Sequence, residues 1–190
     1  MRAPNLVLVA GVAASISALP VHAAGGDPEA GRKKTVTCNA CHGQASMQSV
    51  PNLGGQSPTY FVAAMRAYQD GKRGHATMGD VAKAYSDKEL KNFVAYYTQF
   101  IAESTVSGAE QPASALACEA CHGPDGRAPV IPESAVLAGQ KAPYPKTTLR
   151  EYRAGTRKHA VMQGAVGGLS DADVDALSAY YAGLWGLVAK

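Results

Sequence analysis

All four cysteines of the chain fall into one repeated pattern, Cys38-Asn39-Ala40-Cys41-His42 and Cys118-Glu119-Ala120-Cys121-His122. Two thiols three positions apart share one face of a helical turn. A histidine directly after them brings an imidazole to the same place. C-x-x-C-H is the attachment pattern of haem c: the thiols add to two vinyl groups on one porphyrin edge, and the imidazole stands under the iron as proximal ligand. Cys38, Cys41, Cys118 and Cys121 are therefore the expected covalent anchors of two haem c groups, with His42 and His122 as their metal ligands. A zinc site would need both pairs to converge on one metal and would leave both histidines without a task. A dithiol redox pair is expected within a strand–helix–strand unit, and no such pattern is visible.

The two motifs belong to a longer repeat. Gly55-Gln56 matches Gly139-Gln140, Tyr60 matches Tyr144, and Arg66, Tyr68, Gly71 and Arg73 match Arg150, Tyr152, Gly155 and Arg157. His75-x-x-Met78 matches His159-x-x-Met162, and Tyr96-Tyr97 matches Tyr180-Tyr181, always 84 positions apart, which indicates duplication of one unit. The motifs themselves are offset by only 80, so the second copy carries four extra residues before Gly139, in a proline-rich stretch from Pro124 to Pro132 expected to be a longer surface loop.

The repeat narrows the second axial ligand. Met78 and Met162 occupy equivalent positions downstream of their motifs, whereas Met65 sits in an apolar helical pattern expected to be core and Met47 lies too close to His42. A thioether opposite histidine gives a six-coordinate, low-spin iron of raised potential, with no position open to a substrate. His75 and His159, three residues before the methionines, are the rival ligands and would lower the potential.

These groups must be held by helices. Each half reads as three helices with loops, an all-α chain. Asp27-Pro28 offers an N-cap and an N1 proline for a helix running into Cys38, and Ser57-Pro58 opens a second that ends near Gly71. Ser86-Asp87-Lys88-Glu89 is a capping box ahead of Leu90, Phe93, Val94 and Tyr97 at helical spacing. The second half repeats this near residues 113–121, 143–154 and 170–188, where Pro145 is tolerated only in a first turn. The tyrosines and Trp185 read as packing, with a propionate bond the minority option for Tyr68 and Tyr152. Arg73 and Arg157 either neutralise haem propionates or face solvent. The polar stretch 104–114 is the expected linker between units 24–103 and 115–190. Units this small bury little apolar surface, so the haem is expected to supply much of each core.

The N-terminal segment reads differently. Arg2, a nearly all-apolar run over 6–19 and Val21-His22-Ala23 form a secretory signal, residues 1–23, cleaved near Ala23. The run is shorter than the about 20 residues that cross a bilayer. The expected location is periplasmic, with at most peripheral membrane association. With 46% hydrophobic and 17% charged residues the composition is that of a folded globular protein. Removing Arg2 from the 18 basic residues leaves 17 against 15 acidic ones, which four propionates would bring near neutrality. There is no basic block for nucleic acid.

The two C-x-x-C-H-G motifs, Leu53-Gly54-Gly55-Gln56 and Leu137-Ala138-Gly139-Gln140, the Gly-x-Arg before each methionine and Leu169-Ser170-Asp171 together resemble the cytochrome c4 family over essentially the whole mature chain. The resemblance implies two tandem class I cytochrome c domains related by an approximate two-fold axis, with propionates facing across the interface and His42/Met78 and His122/Met162 as axial pairs. It implies an electron carrier rather than an enzyme, taking electrons from quinol-oxidising membrane complexes to terminal oxidases or periplasmic reductases. It also implies a proline carbonyl bonded to the proximal histidine, Pro51 in the first half; the second half lacks the matching Pro-Asn-Leu, and Pro132 is the candidate substitute there. The first half departs from the family at Gln44-Ala45-Ser46, where an acidic residue and glycine are usual; the second keeps Pro124-Asp125-Gly126 but has Ser134-Ala135-Val136-Leu137 in place of Pro51-Asn52-Leu53. The dihaem subunit of a flavocytochrome c sulfide dehydrogenase resembles the same architecture, with a flavoprotein as partner. A dihaem peroxidase or thiosulfate-oxidising enzyme would need an open iron position or a cysteine ligand, and no cysteine is left over.

Overall fold

The computed structural model describes residues 25–43, 48–100 and 110–184. The expected signal, Met47, most of the linker and Trp185 lie outside these residues. The first half contains α1 (Pro28–Lys34), α2 (Val36–His42), α3 (Pro58–Gln69), α4 (Ala76–Lys83) and α5 (Asp87–Tyr97). The second contains α6 (Leu116–His122), α7 (Pro143–Arg153), α8 (Ala160–Val166) and α9 (Asp171–Gly183), with short 3-10 turns at Ala113–Ala115 and Pro124–Gly126.

The caps expected from sequence close these helices. Asp27 accepts from the N–H groups of Glu29 and Ala30 ahead of Pro28, and Ser57 accepts from Tyr60. Ser86 with Glu89, and Ser170 with Asp173, form complete capping boxes. Pro145 lies in the first turn of α7, where its missing N–H costs nothing. Met65 is core.

Two expectations are corrected. The helix leading into Cys38 is two segments, α1 and α2, meeting at the fully buried Thr35, whose hydroxyl bonds back to Arg32 O at 3.1 Å. Each half also has one helix more than expected, α4 and α8, over the His-x-x-Met segments. Their N-caps are His75 and His159, and each is only seven or eight residues long with an internal glycine, so neither carries the usual start signals.

In the first half α1 crosses α5 closely: Asp27 N donates to Asn92 Oδ1 at 2.8 Å. The core beneath gathers Phe61, Met65, Ala82, Leu90, Phe93, Val94 and Tyr97. In the second half the equivalent cluster is Ala115, Leu177, Tyr180 and Tyr181, and α7 contributes no fully buried residue. Both cores are small for independent units.

The halves are joined by a reciprocal clasp. Gln56 Oε1 accepts from Val136 N at 2.7 Å, and its Nε2 donates to Val136 O at 3.2 Å. Gln140 does the same to Asn52, at 2.7 and 3.3 Å. Each glutamine follows a turn closed by its own N–H on Leu53 O or Leu137 O. The third residues of these turns, Gly55 and Gly139, have φ of 82° and 73°, which a side chain would resist. Asn52 Nδ2 adds a bond to Gly139 O at 2.8 Å. With Gln56, Gln140 and Asn52 all buried, losing one partner would strand the other at about 1–3 kcal/mol.

Candidate haem-binding sites

α2 and α6 each carry both cysteines and end on the histidine, so the two thiols lie one turn apart on one face. Cys38 and Cys118 are half-buried, and burial pushes their thiols above the usual range. None of the four cysteines forms a disulfide. Among the described residues no three His, Cys, Asp or Glu side chains gather at one point, so the pairs do not converge as a zinc site would require.

After each histidine the chain turns away through a glycine. Gly123 has φ of 75°, and a Cβ there would stand 2.0 Å from Ala128 O. The turn brings a backbone carbonyl back to the ring. His42 Nδ1 donates to Pro51 O at 2.8 Å, as expected. His122 Nδ1 donates to Ala135 O at 2.7 Å, which corrects the expectation of Pro132. Ala135 is the residue 84 positions after Pro51, and the Pro132 carbonyl instead accepts from Ser57 Oγ across the halves at 2.8 Å. Both rings are nearly buried, at 9% and 8% exposed. Burial, opposed only by these carbonyl bonds, lowers both pKa values, and at His42 the charges of Lys141 and His75 lower it further. With Nδ1–H committed to a carbonyl, Nε2 of each ring is left as the lone-pair donor that a metal ligand needs. Paired thiols beside such an imidazole fit haem c.

The methionines occupy equivalent places. Met78 and Met162 are the third residues of α4 and α8, half-buried, and Met78 packs on the first core. His75 and His159 are exposed and accept through Nδ1 from the N–H of Met78 and Met162 at 3.2 and 3.3 Å. They are caps.

Arg73 and Arg157 are half-buried rather than free in solvent. Arg73 lies 4.5 Å over the Tyr68 ring and donates to the Tyr144 hydroxyl at 2.8 Å, across the halves. Arg157 lies 4.7 Å over Tyr152 and donates to Thr148 at 3.1 Å. Among the described residues neither guanidinium is paired with a carboxylate. Burial resists ionisation of Tyr144, but Arg73 and Arg157 together overcome this and hold its phenol below the usual range. Such a site favours anions. Tyr97 and Tyr181 are core residues whose hydroxyls lie toward Cys38 and Cys118, and burial raises both phenols.

Sequence reasoning gave no role to Gln56, Gln140 or the Ala135 carbonyl. The repeated Gly-Gln was visible, but its partner is a backbone amide 80 or 88 residues away, which leaves no trace in side-chain type.

Among the described residues no helix is long and apolar enough to cross a membrane. The Cytochrome c family profile matches residues 109–185. Cytochrome c4 of Pseudomonas aeruginosa is 32% identical over 183 residues, spanning 86% of this chain and 90% of that one. A thiosulfate dehydrogenase electron acceptor of Thiomonas intermedia is 28% identical over 80% of this chain and 77% of its own. The crystal structure of reduced recombinant cytochrome c4 from Pseudomonas stutzeri superposes with a TM-score of 0.71 at 28% identity, covering 84% of this chain and 99% of that one. With this helical architecture, two attachment motifs and these relatives, the chain belongs to the cytochrome c4 family, as a dihaem electron-transfer protein with two class I cytochrome c domains and covalently bound haem c.

Proposed function

We propose that the chain is an exported, periplasmic carrier that shuttles electrons from respiratory donors to a terminal oxidase or reductase. Residues 1–23 are its cleaved signal, and 24–103 and 115–190 its two haem units. Cys38 and Cys41, and Cys118 and Cys121, would anchor the haems, and His42 with Met78, and His122 with Met162, would hold the irons. The carrying observation is that each half holds a buried imidazole whose Nδ1 donates to a backbone carbonyl, and a methionine fixed on a histidine-capped helix. Haem, when bound, supplies an iron that exchanges single electrons. His42 and Met78, and His122 and Met162, would each hold an iron with two side chains and so leave no position for a substrate. Arg73 and Arg157, unpaired with carboxylates among the described residues, suit the propionates and keep those charges inside the interface.

The Thiomonas relative supports a second reading, in which the donor is a thiosulfate-oxidising enzyme. A subunit of a flavocytochrome c sulfide dehydrogenase is the other arrangement that shares this architecture. Rapid mixing of the purified oxidised holoprotein with three donors separates them: quinol-reduced membranes, a thiosulfate-oxidising extract, and a sulfide-reduced flavoprotein. The carrier reading expects fast reduction by membranes and fast reoxidation by their oxidase. Reduction confined to thiosulfate, or purification only with a stoichiometric flavoprotein, would replace it.

A further inference from the structure

Each proximal histidine shares a single peptide unit with a glutamine of the opposite half. The Pro51–Asn52 peptide gives its carbonyl to His42 Nδ1 at 2.8 Å and its N–H to Gln140 Oε1 at 2.7 Å. The Ala135–Val136 peptide gives its carbonyl to His122 Nδ1 at 2.7 Å and its N–H to Gln56 Oε1 at 2.7 Å. Asn52 and Val136 are 84 positions apart, as are Gln56 and Gln140, so the duplicated chain has built the same relay twice, crossed between its halves.

A peptide is one conjugated dipole. An acceptor on its N–H moves electron density to its carbonyl oxygen, so hydrogen bonds at the two ends strengthen each other. A stronger acceptor at Nδ1 in turn makes the imidazole a better electron donor through Nε2. The glutamines are well placed for this. Both are buried, where water does not compete, and the glycine before each is pinned to the end of the last helix of its own half, Gly55 N on Tyr97 O and Gly139 N on Tyr181 O, both at 2.8 Å.

We propose that Gln140 tunes the haem held by His42 and Gln56 the haem held by His122, so that each half sets the potential of the other half's iron. Both glutamines are positioning residues that act through a peptide. The inference rests on the reading of His42 and His122 as proximal ligands. Donation from a more basic imidazole stabilises ferric over ferrous iron, so the relay holds both potentials down.

The test is a redox titration of the holoprotein followed by NMR, with haem methyl signals assigned to each half. Gln140→Leu removes the acceptor of Asn52 N–H; the potential of the His42 haem should rise while that of the His122 haem stays. Gln56→Leu should do the converse. If Gln140→Leu yields no holoprotein, Gln140→Asn, one methylene too short to reach, serves in the same way. Equal shifts at both haems, no shift, or a fall in potential, which water entering a loosened interface would cause, each overturn the relay. Strongly ring-current-shifted His42 and His122 ring protons in the reduced unaltered protein report ligation independently. Their absence would remove the histidine assignment and the relay with it; their presence with unmoved potentials removes the relay alone.

Discussion

His75 Nδ1 accepts a hydrogen bond from the backbone N–H of Met78 at 3.2 Å, and the Tyr68 ring meets the imidazole edge-on at 6.3 Å. His159, Met162 and Tyr152 repeat the arrangement at 3.3 and 6.3 Å. The residue that rivalled methionine as a ligand thus fixes the first turn that carries it. His75→Ala should cost about 1 kcal/mol, the usual loss for a missing cap. It should lower the temperature at which the iron–sulfur absorption band of the first haem bleaches, while His75→Asn, which can cap, should restore much of it. An unchanged bleaching temperature in His75→Ala would remove the capping role.

The crossing of α1 and α5 depends on Gly31. A Cβ there would lie 2.1 Å from Asn92 O and 2.9 Å from Tyr96 Cβ. Gly31→Ala must push the helices apart, and overpacking of this kind costs about 1–3 kcal/mol. Denaturant midpoints should show the loss, whereas Gly74→Ala, with nothing within 4 Å of the added methyl, should leave the midpoint nearly unmoved.

Glu89 closes the Ser86 capping box and pairs with Lys34 of α1. The Lys34 hydrogen bond, helped by bonds from Ser86, holds its carboxyl down at about 2 from an ordinary 4.5. A carboxylate whose folded pKa is depressed contributes stability above its unfolded pKa and loses it as pH falls toward the folded one. The contribution of Glu89 should therefore be whole above about pH 4.5 and fade toward about pH 2. Melting temperatures across that window should fall less steeply in Glu89→Gln than in the unaltered chain. Parallel slopes would show that the carboxylate contributes nothing.

Among the described residues the two cores gather seven and four buried residues, and α7 adds none. The haem faces must complete them. Replacing Cys38, Cys41, Cys118 and Cys121 together by alanine should leave a chain without native helicity by circular dichroism. Full helicity in that variant would mean that the polypeptide folds without its porphyrins.

Most of the helices were legible because their signals are local: Asp27-Pro28, Ser57-Pro58, and the serines of the two capping boxes each announce a start within four residues. The two C-x-x-C-H motifs stand out because thioether attachment requires cysteine and histidine at fixed spacing. What escaped was non-local or unconventional. A histidine cap is not a usual start signal, so α4 and α8 read as loops around Met78 and Met162. The carbonyl at His122 belongs to Ala135, which the 84-residue repeat aligns with Pro51; register, not proline chemistry, decides which peptide returns to the ring. The clasp of Gln56 and Gln140 depends on how the halves dock, and a backbone partner is invisible to any reading of side chains.

The weak far-red absorption of iron–sulfur ligation in the oxidised holoprotein is the most direct measure of the whole account. Its intensity should correspond to two haems per chain, and Met78→Ala and Met162→Ala should each remove half of it and open one ferrous iron to carbon monoxide. A band that survives both substitutions, or an unaltered protein that lacks it, would contradict the assignment of a histidine and a methionine to each iron.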